Sequence, residues 1–231
     1  MLIVIKKRKI GNGLLMFFLL FILFGVIRLV GQNENIIPVL ASNQRIILID
    51  PGHGGKDPGA VFGDILEKNI NLEVARLLSN RLKKEGFKVS QTRIKDTNLV
   101  DWKDNGSYQR ASLWQRANLS RKKNADVLVS IHCNSDKNRA YFGPQTFYHR
   151  ESLEGKALAQ AIQEELLKVR QSKRQAIPGD FYLLKNTFCI TVIVEIGYLS
   201  NYTDRTLLCS PKYQKMFAEA IAEGISNYFR R

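Results

Sequence analysis

Two histidines and two glutamates stand where buried strands are expected to end or a helix to begin. His53 follows an apolar run within the segment DPGHGG, His132 closes the run VLVSIH, and Glu195 lies near the end of VIVEIG. Glu67 opens an amphipathic stretch 14 residues after His53, so a loop can bring the two together. Active sites of open α/β sheets form beyond the carboxyl ends of the strands. The four side chains are therefore candidates for one site.

These residue types suit hydrolytic zinc chemistry. Two imidazoles and one carboxylate, from His53, His132 and Glu67, make a ligand set that leaves the fourth tetrahedral position open to water. Glu195 then remains free to act as general base and later as proton donor to a leaving nitrogen. Its carboxylate also needs a partner, because it lies in an otherwise apolar strand. We predict one Zn²⁺ per chain on the first three residues, with Glu195 as the catalytic residue.

Each of these residues also has a structural interpretation. A histidine at a strand end is often structural, and a glutamate that opens a helix often serves the helix dipole. The remaining histidine, His149, follows an aromatic strand, and we expect it to be exposed or to line the groove. Cys133 adjoins His132 and is a soft zinc ligand. Strand alternation, however, points the Cys133 side chain to the opposite face.

The elements that must hold these residues alternate in the order typical of α/β proteins. The sequence predicts strands over 45–50, 87–92, 126–132 and 191–196, with an edge strand over 145–149. It predicts helices over 67–85, 108–123 and 152–169, and a last helix that begins at Ser210-Pro211. This order indicates a mixed, mostly parallel sheet of about five or six strands, with helices on both faces.

The N-terminal part of the chain has a different composition. The basic cluster KKRK (6–9) precedes an apolar run over 14–30, which is at the short end for a spanning helix and slightly long for a signal-peptide core. Val39-Leu40-Ala41 resembles a signal-peptidase site but lies too far beyond the run. We therefore interpret 14–30 as an uncleaved membrane anchor in preference to a cleaved signal peptide, between a cytoplasmic basic segment (1–13) and a linker (31–44). The positive-inside rule puts the domain 45–231 outside the cytoplasm.

The net charge of +14 predicts an affinity for polyanions, which include nucleic acid, anionic lipid and acidic wall polymers. The apolar run and the lack of an aromatic-basic stripe argue against nucleic acid. The cysteines are too few, and odd in number, for a disulfide framework. We expect all three to be free thiols: Cys133, Cys189 and Cys209.

Five segments carry a family resemblance: ILIDPGHGGKDPGA (47–60), LEKNINLEVA (66–75), QTR (91–93), ADVLVSIHCNS (125–135) and VIVEIGYLSN (192–201). In this order and spacing, the chain from Arg45 to Arg231 resembles the zinc-dependent N-acetylmuramoyl-L-alanine amidases of type 3. The resemblance implies a phosphorylase/hydrolase-like fold. It also implies zinc on His53, Glu67 and His132, with Glu195 catalytic, in agreement with the assignment from the residues.

Within that family, the short anchor, the lack of a wall-binding repeat and the segment GPQTFYH (143–149) resemble the germination-specific amidases of spore formers. Those enzymes strip stem peptides from cortex glycan so that a partner deacetylase can complete muramic-δ-lactam. The resemblance implies cleavage of the bond between N-acetylmuramic acid and L-alanine in peptidoglycan. It implies action on the extracytoplasmic face of the membrane, on the cortex side in a spore former, with a deacetylase or an activating lipoprotein as partner.

Two features concern how closely the chain follows the family pattern. Many members carry Ala-Asn where this chain has Ser120-Arg121. This difference puts in doubt either a contact that supports the site residues or a packing contact in the core, and not the metal ligands. Only one clear helix is expected between His132 and Glu195, so no helical plug should control activity.

Without the resemblance, the residues leave open another zinc-dependent wall peptidase or deacetylase. A non-catalytic wall-binding module is a further alternative, against which the complete residue set argues.

Overall fold

A computed structural model describes residues 21–22, 44–101 and 107–230. The chain divides into two units, Met1–Gln44 and Arg45–Arg231, and the fold below is that of the second. The predicted basic segment (1–13), the anchor (14–30) except Phe21 and Ile22, and the linker up to residue 43 lie outside the described residues. Within the parts of the chain that are described, no helix has the length and apolar content needed to cross a membrane.

A six-stranded mixed sheet runs through the domain. Its strands are β1 (Ile46–Pro51), β4 (Lys88–Gln91), β5 (Val127–Asn134), β6 (Gln145–Tyr148), β7 (Ile177–Pro178) and β8 (Ile190–Tyr198). Their order across the sheet is β4-β1-β5-β8-β6-β7. Strands β4, β1, β5 and β8 are parallel, whereas β6 is antiparallel to β8. A separate two-stranded hairpin pairs β2 (Val61–Phe62) with β3 (Ile65–Leu66) just before the first helix. The central strands are apolar runs because both of their faces are covered.

Helices cover both faces of this sheet. They are α1 (Glu67–Lys84), α2 (Ser107–Lys122), α3 (Leu153–Val169), α4 (Tyr182–Asn186), α5 (Tyr202–Leu208) and α6 (Pro211–Arg230). Apolar side chains of α1, α3 and α6 form one core cluster with Ile47 and Ile49 of β1. The alternate β1 residue Asp50 points to the other face, where it contacts Arg116 of α2. The predicted α/β class, with a mostly parallel sheet, is confirmed.

The structure corrects one strand assignment and adds short elements. The strand over 145–149 is not the edge of the sheet, because Ile177–Pro178 pairs beside it as β7. Two residues are too few to show strand alternation, and proline suits an edge position. Helices α4 and α5, of 5 and 7 residues, were also not predicted, since neither is long enough for the apolar spacing of a helix to recur over several turns. Between His132 and Glu195, α3 remains the long helix.

Candidate metal centre

The loop after β1 is shaped to let two histidine side chains approach each other. His53 has a φ of 62°, in the left-handed region. Gly52 lies against the imidazole of His132: a Cβ atom at Gly52 would stand 2.2 Å from His132 Cε1. No side chain fits that gap, so glycine at position 52 is what allows the ring of His132 to lie beside the loop.

His53, Glu67 and His132 come together although they arise from a loop, a helix and a strand. Glu67 Oε1 lies 3.2 Å from His53 Nε2 and 3.0 Å from His132 Nδ1. The two imidazole centroids are 4.9 Å apart, at an interplanar angle of 79°. One ligand atom from each residue lies within 4.8 Å of the other two, which is compatible with a shared metal ion. Two nitrogens and one carboxylate oxygen fit zinc.

The carboxylate of Glu67 is buried and held by neighbouring donors. Its Oε2 accepts from the amide of Ala60 at 2.8 Å. Its Oε1 accepts from Asn71 Nδ2 at 3.1 Å and from the amide of Cys133 at 3.0 Å. Burial raises the pKa of Glu67, but the hydrogen bonds from His132 and His53 have a larger, opposite effect. The pKa of Glu67 therefore lies well below its usual range. The carboxyl group is therefore ionised at neutral pH, the form that a metal ion binds.

Asp57 supports His53 from the side away from Glu67. Asp57 Oδ2 lies 2.9 Å from His53 Nδ1, which leaves Nε2 directed toward Glu67. Burial lowers the pKa of His53, but the hydrogen bonds to Asp57 and Glu67 outweigh it and raise the pKa to about 9. A carboxylate on the second ring nitrogen orients a metal-binding histidine. Asp57 was not among the predicted site residues, although its position four residues after His53 was a usable signal.

Glu195 lies in β8 beside His132 of β5, with which it pairs in register, and opposite Gln145 of β6. Its side chain is buried, and its Oε2 has no hydrogen-bond partner among the described residues. Burial raises the pKa of Glu195 to about 7, with His132 lowering it and Glu67 raising it. The carboxyl group is thus poised to accept or donate a proton near neutral pH.

A buried ion pair fixes the loop that carries His53. Arg116 Nη1 donates to Asp50 Oδ1 at 2.6 Å, and Asp50 also accepts from Thr92 and Ser130. Arg116 donates further to the carbonyls of Pro51, at 2.9 Å, and His53, at 2.6 Å. The pair therefore secures the loop backbone beneath the imidazole. Sequence reasoning missed Arg116, because nothing distinguishes it from the other arginines of the same helix.

A second arginine, Arg93, holds the other side of this loop. Its Nε donates to the carbonyl of Pro51 at 3.0 Å, and its Nη2 donates to the carbonyls of Gly52 and Lys68, each at 2.9 Å. Arg93 thereby links the loop to the first turn of α1, the helix that presents Glu67. The segment QTR entered the sequence analysis only through the resemblance, without a role for its arginine.

Neither Cys133 nor His149 belongs to the group of possible ligands formed by His53, Glu67 and His132. Cys133 belongs to the core cluster, and its Sγ lies 3.5 Å from Asn71 Oδ1. His149 is half-buried and lines a separate depression with Arg150 and Asp180. All three cysteines are free thiols, as expected. A cleft of about 240 Å³ opens beside His53 and His132 and is bordered by Gln109, Ser112 and Leu113 of α2.

Ser120 and Arg121, where the chain departs from the family pattern, contact the segment before β8. Ser120 Oγ donates to the carbonyl of Ala117 at 2.6 Å and accepts from the amide of Phe188 at 3.2 Å. The guanidinium carbon of Arg121 lies 3.5 Å from the ring centroid of Phe188. The departure therefore affects packing at the amino end of β8 and not the metal centre.

Comparisons with known protein sequences point to one enzyme family. A model of the N-acetylmuramoyl-L-alanine amidase family matches residues 47–227. The germination-specific N-acetylmuramoyl-L-alanine amidase of Bacillus subtilis (strain 168) is 37% identical over 230 residues, which cover 97% of this chain and 96% of that protein.

Solved structures give the same result. The structure of the CwlD amidase from Clostridioides difficile, in complex with the GerS lipoprotein, has a TM-score of 0.78 and 35% identity, and covers 81% of this chain and 99% of that chain. The catalytic domain of CwlV, an N-acetylmuramoyl-L-alanine amidase from Bacillus (Paenibacillus) polymyxa var. colistinus, has a TM-score of 0.71 and 31% identity, with coverage of 81% and 99%.

Proposed function

This chain belongs to the N-acetylmuramoyl-L-alanine amidase family, and from that premise we propose that it is a zinc-dependent peptidoglycan hydrolase of the spore cortex. It cleaves the amide bond between N-acetylmuramic acid and the L-alanine of the stem peptide. The observation that carries the proposal is the convergence of His53, Glu67 and His132 beside Glu195, whose Oε2 has no hydrogen-bond partner in the described part of the chain. The family supplies the substrate, and the site supplies groups that suit amide hydrolysis.

His53, Glu67 and His132 would hold one zinc ion through Nε2, a carboxylate oxygen and Nδ1. When bound, zinc supplies a Lewis acid that polarises a carbonyl and makes water more acidic. Asp57 keeps the imidazole of His53 oriented toward the ion. Arg116 and Arg93 keep the backbone of the His53 loop in position, so the proposed ligands would need little rearrangement to bind zinc.

Glu195 moves the protons in this proposal. Its carboxylate form takes a proton from the attacking water, and the resulting acid returns that proton to the nitrogen of L-alanine as the carbon–nitrogen bond breaks. A pKa near 7 suits a group that must act in both forms. The products are a free lactyl carboxylate on the glycan and a stem peptide with a free amino terminus.

Mass spectrometry of digested peptidoglycan tests the reaction. The zinc-loaded protein should release stem peptides that begin at L-alanine and leave the glycan strands intact. A carboxypeptidase would release C-terminal residues, and a deacetylase would shift only the mass of the glycan. Either of those product patterns would refute the amidase assignment.

The cellular setting is part of the proposal. The germination-specific relative from Bacillus subtilis supports a role in the cortex, where a deacetylase would complete muramic-δ-lactam. The CwlD amidase was solved in complex with a lipoprotein, which supports an activating lipoprotein as partner here. We place the catalytic domain on the extracytoplasmic side, held by residues 14–30.

A further inference from the structure

Arg174 carries a positive charge, and no described carboxylate forms an ion pair with it. Its Nε donates to the carbonyl of Phe142 at 2.8 Å, and its Nη1 donates to Gln145 Oε1 at 2.6 Å. Both acceptors are neutral, and its Nη2 donates to no residue that the structure describes. The guanidinium therefore retains a positive charge and a free donor for a ligand.

Gln145 relates this guanidinium to the catalytic carboxyl. It is the first residue of β6 and pairs directly with Glu195 in the antiparallel ladder. Directly opposite residues project from the same face, with Cβ atoms about 5 Å apart. Arg174 Nη1 donates to the Gln145 side chain, and its guanidinium lies over the ring of Tyr198, three residues after Glu195 in β8. Arg174 is thus held at the carboxyl end of β8, the end at which Glu195 lies.

The arginine is held firmly on both its side-chain and backbone sides. Its guanidinium carbon lies 4.6 Å from the ring centroid of Tyr198 and 5.7 Å from that of Tyr141. Gln163, buried on α3, donates to the carbonyls of Arg174, at 3.3 Å, and Pro144, at 3.0 Å. A charged group fixed before its ligand arrives loses little entropy on binding. These contacts hold Arg174 in position before a ligand binds, as expected of a residue that recognises a charged ligand.

We propose that Arg174 binds a free carboxylate of the stem peptide, and this inference rests on the proposed function. In peptidoglycan the second stem residue, D-glutamate, is joined onward through its side-chain carboxyl, so its α-carboxylate is free. That group lies about 6 Å from the scissile nitrogen, because it is one residue further along the chain. Arg174 Nη2 donates to it in a charge-assisted hydrogen bond. Arg174 is then a specificity-determining residue that selects stems with an unmodified D-glutamate.

The test compares two substrates that differ in one group. Muramyl glycan fragments with a stem peptide that carries either the α-carboxylate or the α-amide at D-glutamate are hydrolysed by the zinc-loaded full chain. The unmodified protein should prefer the carboxylate in kcat/KM by about tenfold or more, mainly through KM, as expected for a hydrogen bond to a charged group. Arg174→Gln should bring the ratio close to one.

The ratio of kcat/KM for the two substrates distinguishes a loss of substrate recognition from a loss of folded protein. Any loss of folded or active protein lowers both rates equally and cancels in the ratio. Arg174→Lys keeps the charge and should retain part of the preference. Arg121→Gln is the matched control: it removes one charge from an arginine stacked on Phe188, at the amino end of β8, and should leave the ratio unchanged.

The possible results lead to different conclusions. Equal hydrolysis of both substrates by the unmodified protein, or an unchanged preference in Arg174→Gln, overturns the inference. It leaves the amidase function intact. Failure of the unmodified protein to hydrolyse either substrate contradicts the proposed function itself.

Discussion

At the scale of single residues, Glu67 and Glu195 are both buried carboxyls with opposite surroundings. Glu67 accepts hydrogen bonds at both oxygens, whereas Glu195 Oε2 has no partner among the described residues. The pKa of Glu67 is correspondingly lowered, and that of Glu195 is raised to about 7. These differences suit Glu67 for metal ligation and Glu195 for proton transfer.

This contrast predicts different outcomes for the same substitution. Glu195→Gln should keep the zinc and the fold but lose on the order of 10² to 10⁴ in kcat, the range for removing a general acid-base. Glu67→Gln should instead lose zinc, as His53→Ala and His132→Ala should. Metal analysis, together with kcat on peptidoglycan, distinguishes the roles. Full zinc content and full activity in both glutamine variants would contradict the assignment.

We expect His53 to make zinc binding depend on pH. Its pKa in the metal-free chain is raised to about 9, so the imidazole is protonated at neutral pH and must lose a proton to bind zinc. Zinc affinity should therefore fall as pH falls, by about tenfold per pH unit below pH 9. Competition with a chelator across pH 6 to 9, as set by that pKa, measures the slope.

Asp57→Asn provides the control for this pH dependence. It removes the carboxylate that raises the pKa of His53, so zinc affinity should reach its plateau at a lower pH. Binding at high pH should also be weaker, because the imidazole loses its orienting partner. An affinity that is independent of pH in the unmodified chain would show that His53 is not a ligand.

At the scale of elements, the sequence predicted those whose pattern spans several turns or a full buried strand. The helix Glu67–Lys84 and the strand Val127–Asn134 were predicted with nearly correct bounds. Strand β7 was not predicted, because two residues are too few to show the alternation of a strand. Without β7, the strand β6 was interpreted as the edge of the sheet. Contacts such as Arg116 to Asp50 depend on how α2 packs on the sheet, which no local pattern encodes.

The loop between β1 and the hairpin gives a prediction at this scale. Gly52→Ala should lower zinc affinity by about tenfold or more, because the new Cβ would displace the imidazole of His132. Gly63→Ala is the control, since Gly63 has a φ of 57° but nothing within 4 Å of the added atom. The control should cost about 1 kcal/mol of stability and keep its zinc. Chelator competition and thermal unfolding report the two effects, and equal zinc loss in both variants would exclude the steric explanation.

At the scale of the whole molecule, the domain Arg45–Arg231 is a compact unit that contains all the proposed site residues. If residues 14–30 anchor the chain, the full-length protein should stay in the membrane fraction at high salt, since ions do not screen hydrophobic insertion. A chain that begins at Arg45 should be soluble and active. Fractionation and activity assays check both.

Orientation requires a separate measurement. Protease added to intact protoplasts should digest residues 45–231, because the positive-inside rule predicts that the basic N-terminal cluster stays in the cytoplasm. Permeabilised cells serve as the control for protease access. Full protection of the domain in intact protoplasts would put it on the cytoplasmic side, away from peptidoglycan.

The order of strands in the sheet differs from their order along the chain, and this has a consequence for synthesis. Strand β8 is the last strand of the chain, yet it lies between β5 and β6. A chain made only as far as β6 holds the three proposed metal ligands, but it lacks Glu195 and the partner that β6 needs. We expect such a chain to be inactive, because it lacks the proposed acid-base group. The addition of β8 completes the sheet and the proposed site together, so we expect activity only in a chain whose sheet is complete.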